Sequence, residues 1–352
     1  MNKTLYPAAI DLLKELIQTP SLSGEENLTA EIIEKWFSTR NIQTYRSRNN
    51  IWAINQYFDL DKPTILLNSH HDTVQPNTAY TNNPFEAKIE NGKLYGLGSN
   101  DAGGCLVSLM ATFQYFYRHK DLKYNLVIAA SAEEENSGQN GLKSLLPELP
   151  ELSFALVGEP TEMHLAIAEK GLMVIDAYAT GIAQHVAHKN AKNAITMALD
   201  DIMWIRNHKF QKVSDLLEEV QMSVTRIHAG QQHNIIPDSC HFVIDVRVNE
   251  MYTNKEIFET IDDHTNSKLE ARSFHLNASS IAIEHPIIQS GIQLGRKTYG
   301  SPTLSDQCHL ACPSFKIGPG KSTRSHSANE YIFLDEIQQG IDLYIRLLSK
   351  IL

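Results

Sequence analysis

Short continuous apolar runs punctuate the first half of the chain and predict strands buried on both faces of a sheet. They are rich in leucine, isoleucine, valine and alanine, and they occupy residues 64–67, 126–130 and 154–157. Helical segments alternate with them, which predicts a three-layer α/β/α domain with a mixed, mostly parallel sheet. Ligands of such domains gather beyond the carboxyl ends of the strands. His70, Glu134 and Glu159 stand at these positions.

Two helix starts can be read from local signals in this region. Ser23 followed by Glu26 has the spacing of a capping box and predicts a helix that runs through Phe37. A pair of glycines precedes an apolar helix predicted over residues 105–117. Both helices would cover a face of the predicted sheet.

The pattern changes after about residue 171, where an α+β arrangement is predicted. The predicted strands cover residues 173–179, 222–227 and 240–248, and the predicted helices cover 191–207 and 254–264. The simplest topology is a catalytic domain of residues 1–171 and 284–352, interrupted by an inserted lid or dimerisation domain of residues 172–283. An insert of that size is normal for a small domain.

Composition excludes several classes of protein. A chain of 352 residues favours two domains, and its 42% hydrophobic and 20% charged residues are typical of globular proteins. The 31 basic and 41 acidic residues give a formal charge of −10, which argues against nucleic acid as a partner. No apolar run approaches the roughly 20 residues of a membrane span, and the start from Met1 to Thr4 shows no signal-peptide pattern. With cysteines that fit no zinc-binding spacing, we expect a cytoplasmic protein without membrane contact.

Imidazole and carboxylate side chains cluster in short polar patches, where an apolar run ends or a glycine-rich turn begins. The patches are Ser69-His70-His71-Asp72, Asn100-Asp101-Ala102-Gly103-Gly104, Ala132-Glu133-Glu134-Glu135, Gly158-Glu159-Pro160-Thr161 and Arg324-Ser325-His326. Neutral nitrogen together with anionic oxygen suits Zn²⁺ or a similar divalent ion. The third patch holds one acid more than a metal site needs, which leaves a candidate general base.

The last patch continues along the chain to Glu330. In this order, the patches resemble the M20 family of co-catalytic metallohydrolases. The resemblance covers essentially the whole chain, including the inserted domain. It implies two zinc ions per subunit, with Co²⁺ or Mn²⁺ as possible substitutes. The implied roles are His70 and Glu159 on one ion, Glu135 and His326 on the other, Asp101 between them, Asp72 orienting His70, and Glu134 as general base.

Neighbouring residues have simpler interpretations. His71 follows a ligand on a strand, where side chains alternate, so it should point away from His70. Glu133 is expected to be a loop carboxylate, although a one-residue shift among 133–135 stays open. The segment 318–322 is not a phosphate-binding P-loop, since Phe315 stands where the pattern needs glycine. The resemblance implies instead that Gly320 lies in a loop approaching the substrate.

The inserted domain contains further candidates. The segment 181–187 resembles the family segment whose histidine reaches across a dimer to stabilise the oxyanion, which implies a role for His185. His188 competes for this role, and the proline common after the family's histidine is absent. The resemblance implies a homodimer joined through the inserted domains. It also implies substrate contacts from Asn234 and Arg247, and Arg324 is a second carboxylate-binding candidate. A strand arginine such as Arg247 can instead be an ion-pair partner.

The resemblance implies an amidohydrolase that removes an N-acyl group from a small-molecule amino acid. The acetylornithine and acetylcitrulline branch is the most similar, so acetyl or succinyl derivatives of ornithine or citrulline in arginine biosynthesis are expected. The alternatives are a succinyl-diaminopimelate desuccinylase, a di- or tripeptide-cleaving metallopeptidase, or a non-catalytic metal-binding scaffold. Glu134 argues against the scaffold, which has no use for a spare carboxylate beside two metals.

Overall fold

A computed structural model describes residues 4–188 and 191–352, so the first three residues of the amino-terminal segment considered above lie outside the described residues. The chain forms two compact units. The first comprises the chain up to Ile167 together with Ser280–Tyr299 and Ser305–Leu352, and the second comprises Ala168–Ser279 and Gly300–Leu304. That the second unit is a lid or dimerisation domain stays a prediction.

Helices and strands alternate along the chain. The helices are α1 Leu5–Gln18, α2 Asn27–Ser38, α3 Gly104–Phe116, α4 Leu142–Leu145, α5 Ala194–Asn207, α6 Asn254–His264, α7 Pro286–Gln293 and α8 Leu334–Leu348. The strands up to the second unit are β1 Tyr45–Ser47, β2 Asn50–Ile54, β3 Thr64–His70, β4 Ile89–Glu90, β5 Lys93–Tyr95, β6 Asn125–Ser131, β7 Phe154–Val157 and β8 Leu165–Glu169. The remaining strands are β9 Gly171–Thr180, β10 Gln184–His185, β11 Gln221–Ala229, β12 Ile235–Ile236, β13 Ser239–Val248, β14 Lys268–Ala271, β15 Ser279–Ser280, β16 Thr298–Ser301, β17 Ser314–Lys316 and β18 Tyr331–Phe333.

The main sheet has the order β1-β2-β6-β3-β7-β17-β8-β15, with β16 paired to β8. Its centre is parallel, because β3 pairs in parallel with β6 and β7, and β17 pairs in parallel with β7. Antiparallel pairs of β2 with β6 and of β8 with β17 make the sheet mixed. Every residue of β3 and β6 is buried. The predicted mixed, mostly parallel sheet is confirmed.

Two apolar clusters cover the two faces of this sheet. Ile65 and Leu67 pack into a large cluster that includes residues of α1, α3 and α8. Leu66, between them in sequence, packs into a smaller cluster with Leu142 and Leu145 of α4. Neighbouring strand residues therefore face opposite layers, as the apolar run predicted.

Polar patches follow the carboxyl ends of the parallel strands. β3 ends at His70, β6 is followed by the turn 132–135, and β7 is followed by Glu159. These ends lie at one edge of the sheet because the three strands are parallel neighbours. The sheet therefore assembles the predicted ligand patches.

The second unit is an α+β unit built on an antiparallel sheet with the order β11-β13-β9-β14. Alternate residues of β9 are buried, and they pack with β13, α5 and α6 in one cluster. The predicted strands and both helices of this unit are present, although α5 begins at Ala194 because Asn193 caps it by accepting from the N–H of Ile195. β14 was not predicted, since Leu269 is the only large apolar residue in its four positions.

The predicted capping box at Ser23 is wrong. α2 begins at Asn27, and the Ser23 hydroxyl donates to Asp72 Oδ2 at 2.7 Å instead of accepting a backbone N–H of the helix. Glu26 turns its carboxylate to the N–H of Gly24 at 2.6 Å. Long-range partners therefore outcompete the local cap.

A buried carboxylate also organises the second unit. Asp201 of α5 is 2% exposed and accepts the backbone N–H groups of Asn266 and Ser267, both at 2.9 Å. These bonds fix the turn between α6 and β14.

In residues 4–188 and 191–352, no helix is both long and apolar enough to cross a bilayer.

Candidate metal centre

His70 is buried at the end of β3 and has one ring nitrogen free. Its Nδ1 donates to the backbone carbonyl of Asp72 at 3.0 Å, closer than the 3.4 Å to Asp72 Oδ1. Its Nε2 is buried without a hydrogen-bond partner among the described residues. That nitrogen lies 3.4 Å from Asp101 Oδ1 and 3.8 Å from Glu159 Oε1. An oriented imidazole facing two carboxylates is the arrangement of a metal ligand.

Asp101 stands between two histidines. Its Oδ1 faces His70, and its Oδ2 lies 3.5 Å from Nε2 of His326. The turn that carries Asp101 is held by Glu330, whose Oε1 accepts the N–H groups of Asn100 at 2.7 Å and Asp101 at 3.0 Å. The two oxygens of one carboxylate therefore point to two separate positions.

His326 and Glu135 complete the second position. His326 Nε2 donates to Glu135 Oε2 at 3.0 Å. This hydrogen bond raises the pKa of His326 to about 9. His326 would have to release this proton to bind a cation through Nε2.

Two groups of three side chains could each hold an ion, and they share Asp101. Within each group the possible ligand atoms lie within 4.8 Å of one another, and the groups are His70 with Asp101 and Glu159, and Asp101 with Glu135 and His326. All five predicted ligands are thus brought together. Imidazole nitrogens and carboxylate oxygens form a donor set suited to zinc and related divalent ions.

The charges of the cluster also fit a cation. Burial raises the pKa of Glu159 to about 8, and the Asp101 carboxylate adds to this rise. Burial would lower the pKa of His70, but the neighbouring carboxylates of Asp101 and Asp72 outweigh it and raise that pKa well above its usual value. The metal-free cluster therefore retains protons to offset its negative charge. A divalent ion would supply this charge and displace the protons.

Glu134 lies beside the cluster without belonging to either group of three. Its Oε2 is 4.0 Å from His70 Nε2. Burial raises its pKa well above the usual value, and the Glu159 carboxylate adds to the rise. Glu133 turns the other way, with its carboxylate accepting from the backbone N–H of Asn140 at 3.0 Å and from the Asn140 amide at 2.8 Å. The side-chain directions thus favour the predicted order of 133–135 over the one-residue shift.

Asp72 anchors the turn that carries these acids. Its Oδ1 accepts the N–H of Glu134 and its Oδ2 accepts the N–H of Glu135, both at 3.1 Å. Asp72 therefore positions the turn as well as His70, which sequence reasoning did not anticipate. His71 points elsewhere, with Nδ1 at 2.9 Å from the Thr29 hydroxyl and Nε2 at 2.9 Å from the Asn49 carbonyl.

Arg324 is engaged within the first unit. Its guanidinium donates to both carboxylate oxygens of Glu336, at 2.7 and 3.0 Å, and lies over the rings of Tyr331 and Phe333. These contacts favour a structural role over the predicted binding of substrate carboxylate.

Gly320 has φ of +91°, and a Cβ there would come within 2.5 Å of Asn100 Oδ1. The close approach that requires this glycine is therefore one to Asn100.

The second unit brings two predicted residues together. His185 on β10 pairs with Ile235 on β12, and the N–H of Val186 donates to the carbonyl of Asn234 at 3.1 Å. The His185 ring is exposed, and its centroid is 6.2 Å from that of His188. His185 and Asn234 thus share one small ribbon.

Arg247 lies on β13 of the second unit and forms an intrastrand ion pair. Its Nε donates to Asp245 Oδ1 at 2.8 Å and its Nη2 donates to Asp245 Oδ2 at 3.2 Å. This is the alternative that the sequence left open for Arg247. A substrate carboxylate would have to compete with Asp245 for the same guanidinium edge.

Several buried groups that support the centre were missed from sequence. Glu330 belongs to the last polar patch but has no predicted role, and Glu26 belongs to the predicted helix cap. Asp306 is buried and accepts from the Asn68 amide at 2.8 Å and the Ser131 hydroxyl at 2.6 Å. Their partners are distant in sequence, so no local spacing marks them.

Comparison with known proteins agrees with this geometry. The sequence model of "Peptidase family M20/M25/M40" matches residues 66–350. A succinyl-diaminopimelate desuccinylase of Rickettsia bellii is 24% identical over 375 residues, which cover 97% of this chain and 96% of that protein. A [LysW]-lysine/[LysW]-ornithine hydrolase of Sulfurisphaera tokodaii is 28% identical over 353 residues, which cover 97% of this chain and 95% of that protein.

A solved structure shares the fold. The Bacillus subtilis YXEP protein, described as a dinuclear metal binding peptidase from the M20 family, superposes with a TM-score of 0.74 at 17% identity and covers 99% of both chains. The curated relatives support the expected M20 resemblance. They favour the desuccinylase alternative over the acetylornithine branch that the sequence suggested.

We expect metal binding to release protons. Because the pKa of His326 is about 9 and that of Glu159 is about 8 in the metal-free protein, both groups are mostly protonated near pH 7. Isothermal titration with ZnCl₂ in buffers of different ionisation enthalpy should show a net release of about one proton or more per chain. The release should shrink toward pH 9.5, where these groups have already lost most of their protons.

His326→Gln should reduce this proton release at pH 7. Glu133→Gln is the matched control, since its carboxylate faces Asn140, and it should release as many protons as the native chain. Equal release from all three proteins would contradict the assignment of His326 to the centre.

Proposed function

The chain belongs to peptidase family M20/M25/M40 and is a hydrolase, and from this we propose that it cleaves the amide bond of an N-acylated diamino acid. N-succinyl-diaminopimelate is the first candidate substrate. The observation that carries the proposal is the pair of three-residue groups that share Asp101, with Glu134 beside them and outside both. This arrangement offers two cation positions and a separate proton acceptor.

The substrate class rests on the relatives. Diaminopimelate, lysine and ornithine, which appear in their names, are all diamino acids. N-acetylornithine belongs to the same class and remains the second candidate, whereas N-acetylcitrulline does not. A di- or tripeptide, as the sequence alternative has it, is a third candidate, because the structurally similar Bacillus subtilis protein is described as a peptidase.

We propose that zinc is the physiological metal and that Co²⁺ or Mn²⁺ can replace it. His70 and Glu159 would hold one ion, Glu135 and His326 the other, and Asp101 both. When bound, such ions acidify water and polarise the scissile carbonyl. His70 is prepared for this role because its Nδ1–H is committed to the carbonyl of Asp72.

Glu134 would transfer the proton. Its carboxylate would take a proton from the attacking water as the oxygen adds to the acyl carbon. It would then give that proton to the amino nitrogen as the carbon–nitrogen bond breaks, leaving a free amine and an acyl carboxylate. Burial suits this role, since an acid whose pKa is raised accepts and returns a proton more readily near neutral pH. A scaffold protein would gain nothing from this buried acid.

His185 and Asn234 would act as one unit on the oxyanion and the substrate. His185 lies on β10 and Asn234 directly precedes β12, the strand paired with β10, so a movement of the ribbon would carry both. The contribution of Arg247 would require its release from Asp245.

The second unit offers an edge for a homodimer. β11 is an edge strand of nine residues, none of them buried, and within residues 4–188 and 191–352 it pairs with β13 alone. Ile227 on this strand and Leu199 and Met203 on the adjacent α5 are about half exposed. A long unpaired edge flanked by apolar side chains favours pairing with a second copy across a two-fold axis.

Glu134→Gln tests the proposed reaction. The change preserves shape and removes the proton acceptor, so kcat should fall by about 10²–10⁴-fold while zinc content and melting temperature are retained. Amine release should be assayed with N-succinyl-diaminopimelate, N-acetylornithine, N-acetylcitrulline and a tripeptide.

Glu133→Gln is the matched control and should keep kcat within a few-fold of the native value. The native zinc protein should turn over an acylated diamino acid faster than the tripeptide. Near-normal turnover by Glu134→Gln would disprove the assigned base, and preference for the tripeptide would disprove the substrate class.

Subunit mixing tests the role of His185. His185→Ala should lower kcat by about 10²–10³-fold because oxyanion stabilisation acts in the transition state. If His185 acts on the partner subunit, mixing this variant with Glu134→Gln creates heterodimers with one intact site. At equal amounts, activity should return to about one quarter of native.

Asn234→Ala provides the control for this complementation. It should also recover activity with Glu134→Gln, but not with His185→Ala, because the two ribbon residues would come from the same subunit. Failure to recover after mass spectrometry has verified heterodimers would show that the histidine acts in its own chain or has no role.

A further inference from the structure

The turn that carries Glu134 and Glu135 has an unusual set of backbone partners. Four successive N–H groups, those of residues 132–135, each donate to a side-chain oxygen. In chain order the acceptors are Asn50 Oδ1, Glu26 Oε1, Asp72 Oδ1 and Asp72 Oδ2, at 2.9, 3.1, 3.1 and 3.1 Å. Three side chains from three segments therefore define this turn.

Glu26 is the least expected of these acceptors. It is completely buried and forms no ion pair with a lysine, arginine or histidine of the described residues. Its Oε1 accepts the N–H groups of Gly24 at 2.6 Å and Glu133 at 3.1 Å, and its Oε2 accepts from the Asn49 amide at 2.8 Å. Burying a carboxylate without a cation is costly, and these donors offset the cost.

The bond from Glu133 has a conformational consequence. Glu133 has φ of +53°, in the left-handed region that non-glycine residues rarely adopt. Its N–H is held by Glu26, and its carboxylate is held by Asn140. Loss of the Glu26 acceptor would allow this residue to relax toward negative φ. Glu134 and Glu135 follow it directly, so their carboxylates would shift.

We propose that Glu26 is a positioning residue for the metal centre, acting through the backbone of Glu133. It touches neither substrate nor metal. It holds the turn from which Glu135 reaches one cation position and Glu134 reaches the reacting atoms. This inference rests on the proposed function for its kinetic consequence, whereas its consequence for metal affinity does not depend on the substrate.

The test compares three variants with the native protein. Glu26→Ala removes the acceptor. Glu26→Gln can keep an oxygen toward Gly24 and Glu133 and place its amide toward Asn49, whose side chain can rotate to accept. Asp201→Ala is the matched control, because it also deprives two backbone N–H groups of a buried carboxylate acceptor but lies in the second unit.

Zinc affinity should be measured by chelator competition, Co²⁺ coordination by visible absorption, and melting temperature on the metal-free proteins. Glu26→Ala should weaken one of the two zinc affinities by about 10–100-fold and alter the Co²⁺ spectrum. Its kcat should fall with little change in KM. The zinc affinities of Glu26→Gln should remain within about threefold of the native values, because the glutamine oxygen can still accept the N–H of Glu133. Asp201→Ala should lower the melting temperature without changing zinc affinity.

The proposal is overturned if Glu26→Ala loses only melting temperature, as Asp201→Ala does, with native zinc affinity and Co²⁺ spectrum. It is also overturned if Glu26→Gln is as defective as Glu26→Ala, because the acceptor alone would then be insufficient. Should Glu26→Ala not fold, Glu26→Asp replaces it, since it withdraws the carboxylate by one methylene and should show the same loss of affinity. If the native protein turned over none of the substrates, the affinity results would still decide this proposal.

Discussion

The structure depends on holding several carboxylates together against their mutual repulsion. Asp101, Glu134, Glu135 and Glu159 converge at one edge of the sheet, largely out of water. Two unit charges about 4 Å apart interact by about 4 kcal/mol at an effective dielectric constant of about 20. A proton on His326 offsets part of this repulsion in the metal-free chain, and divalent cations would offset it more completely. Burial and the Asp101 carboxylate raise the pKa of Glu159, and the hydrogen bond to Glu135 raises the pKa of His326.

Such a cluster needs rigid support, which comes from buried acceptors that bind backbone N–H groups. Asp72 and Glu26 hold the turn after β6, and Glu330 holds the turn that carries Asp101. These side chains do not enter either three-residue group. The ligands thus project from turns whose backbone is fixed independently of any ion, which suits a site that must bind metal without large rearrangement.

Much of this arrangement could be predicted from sequence because parallel strands end at a common edge. His70 and Glu159 follow continuous apolar runs, so the strand pattern alone brought them close. The supporting acceptors could not be predicted, since Glu26 meets Glu133 across 107 positions and Asn100 meets Glu330 across 230. The capping-box reading at Ser23 failed for the same reason: its hydroxyl binds Asp72, 49 positions away. Arg324 looked available beside His326 in sequence, yet Glu336 occupies its guanidinium. The pairing of His185 with Asn234 was also missed, because two-residue strands carry almost no periodic signal.

The central claim is that two cations share Asp101 in a hydrolytic centre. Anomalous X-ray scattering at the zinc edge, from crystals of the zinc-loaded protein, tests it most directly. The account predicts two peaks per chain, one at about 2.0–2.2 Å from His70 and Glu159 and the other from Glu135 and His326, with Asp101 contacting both. A single peak in fully loaded crystals, or a second peak that Asp101 does not reach, would contradict it.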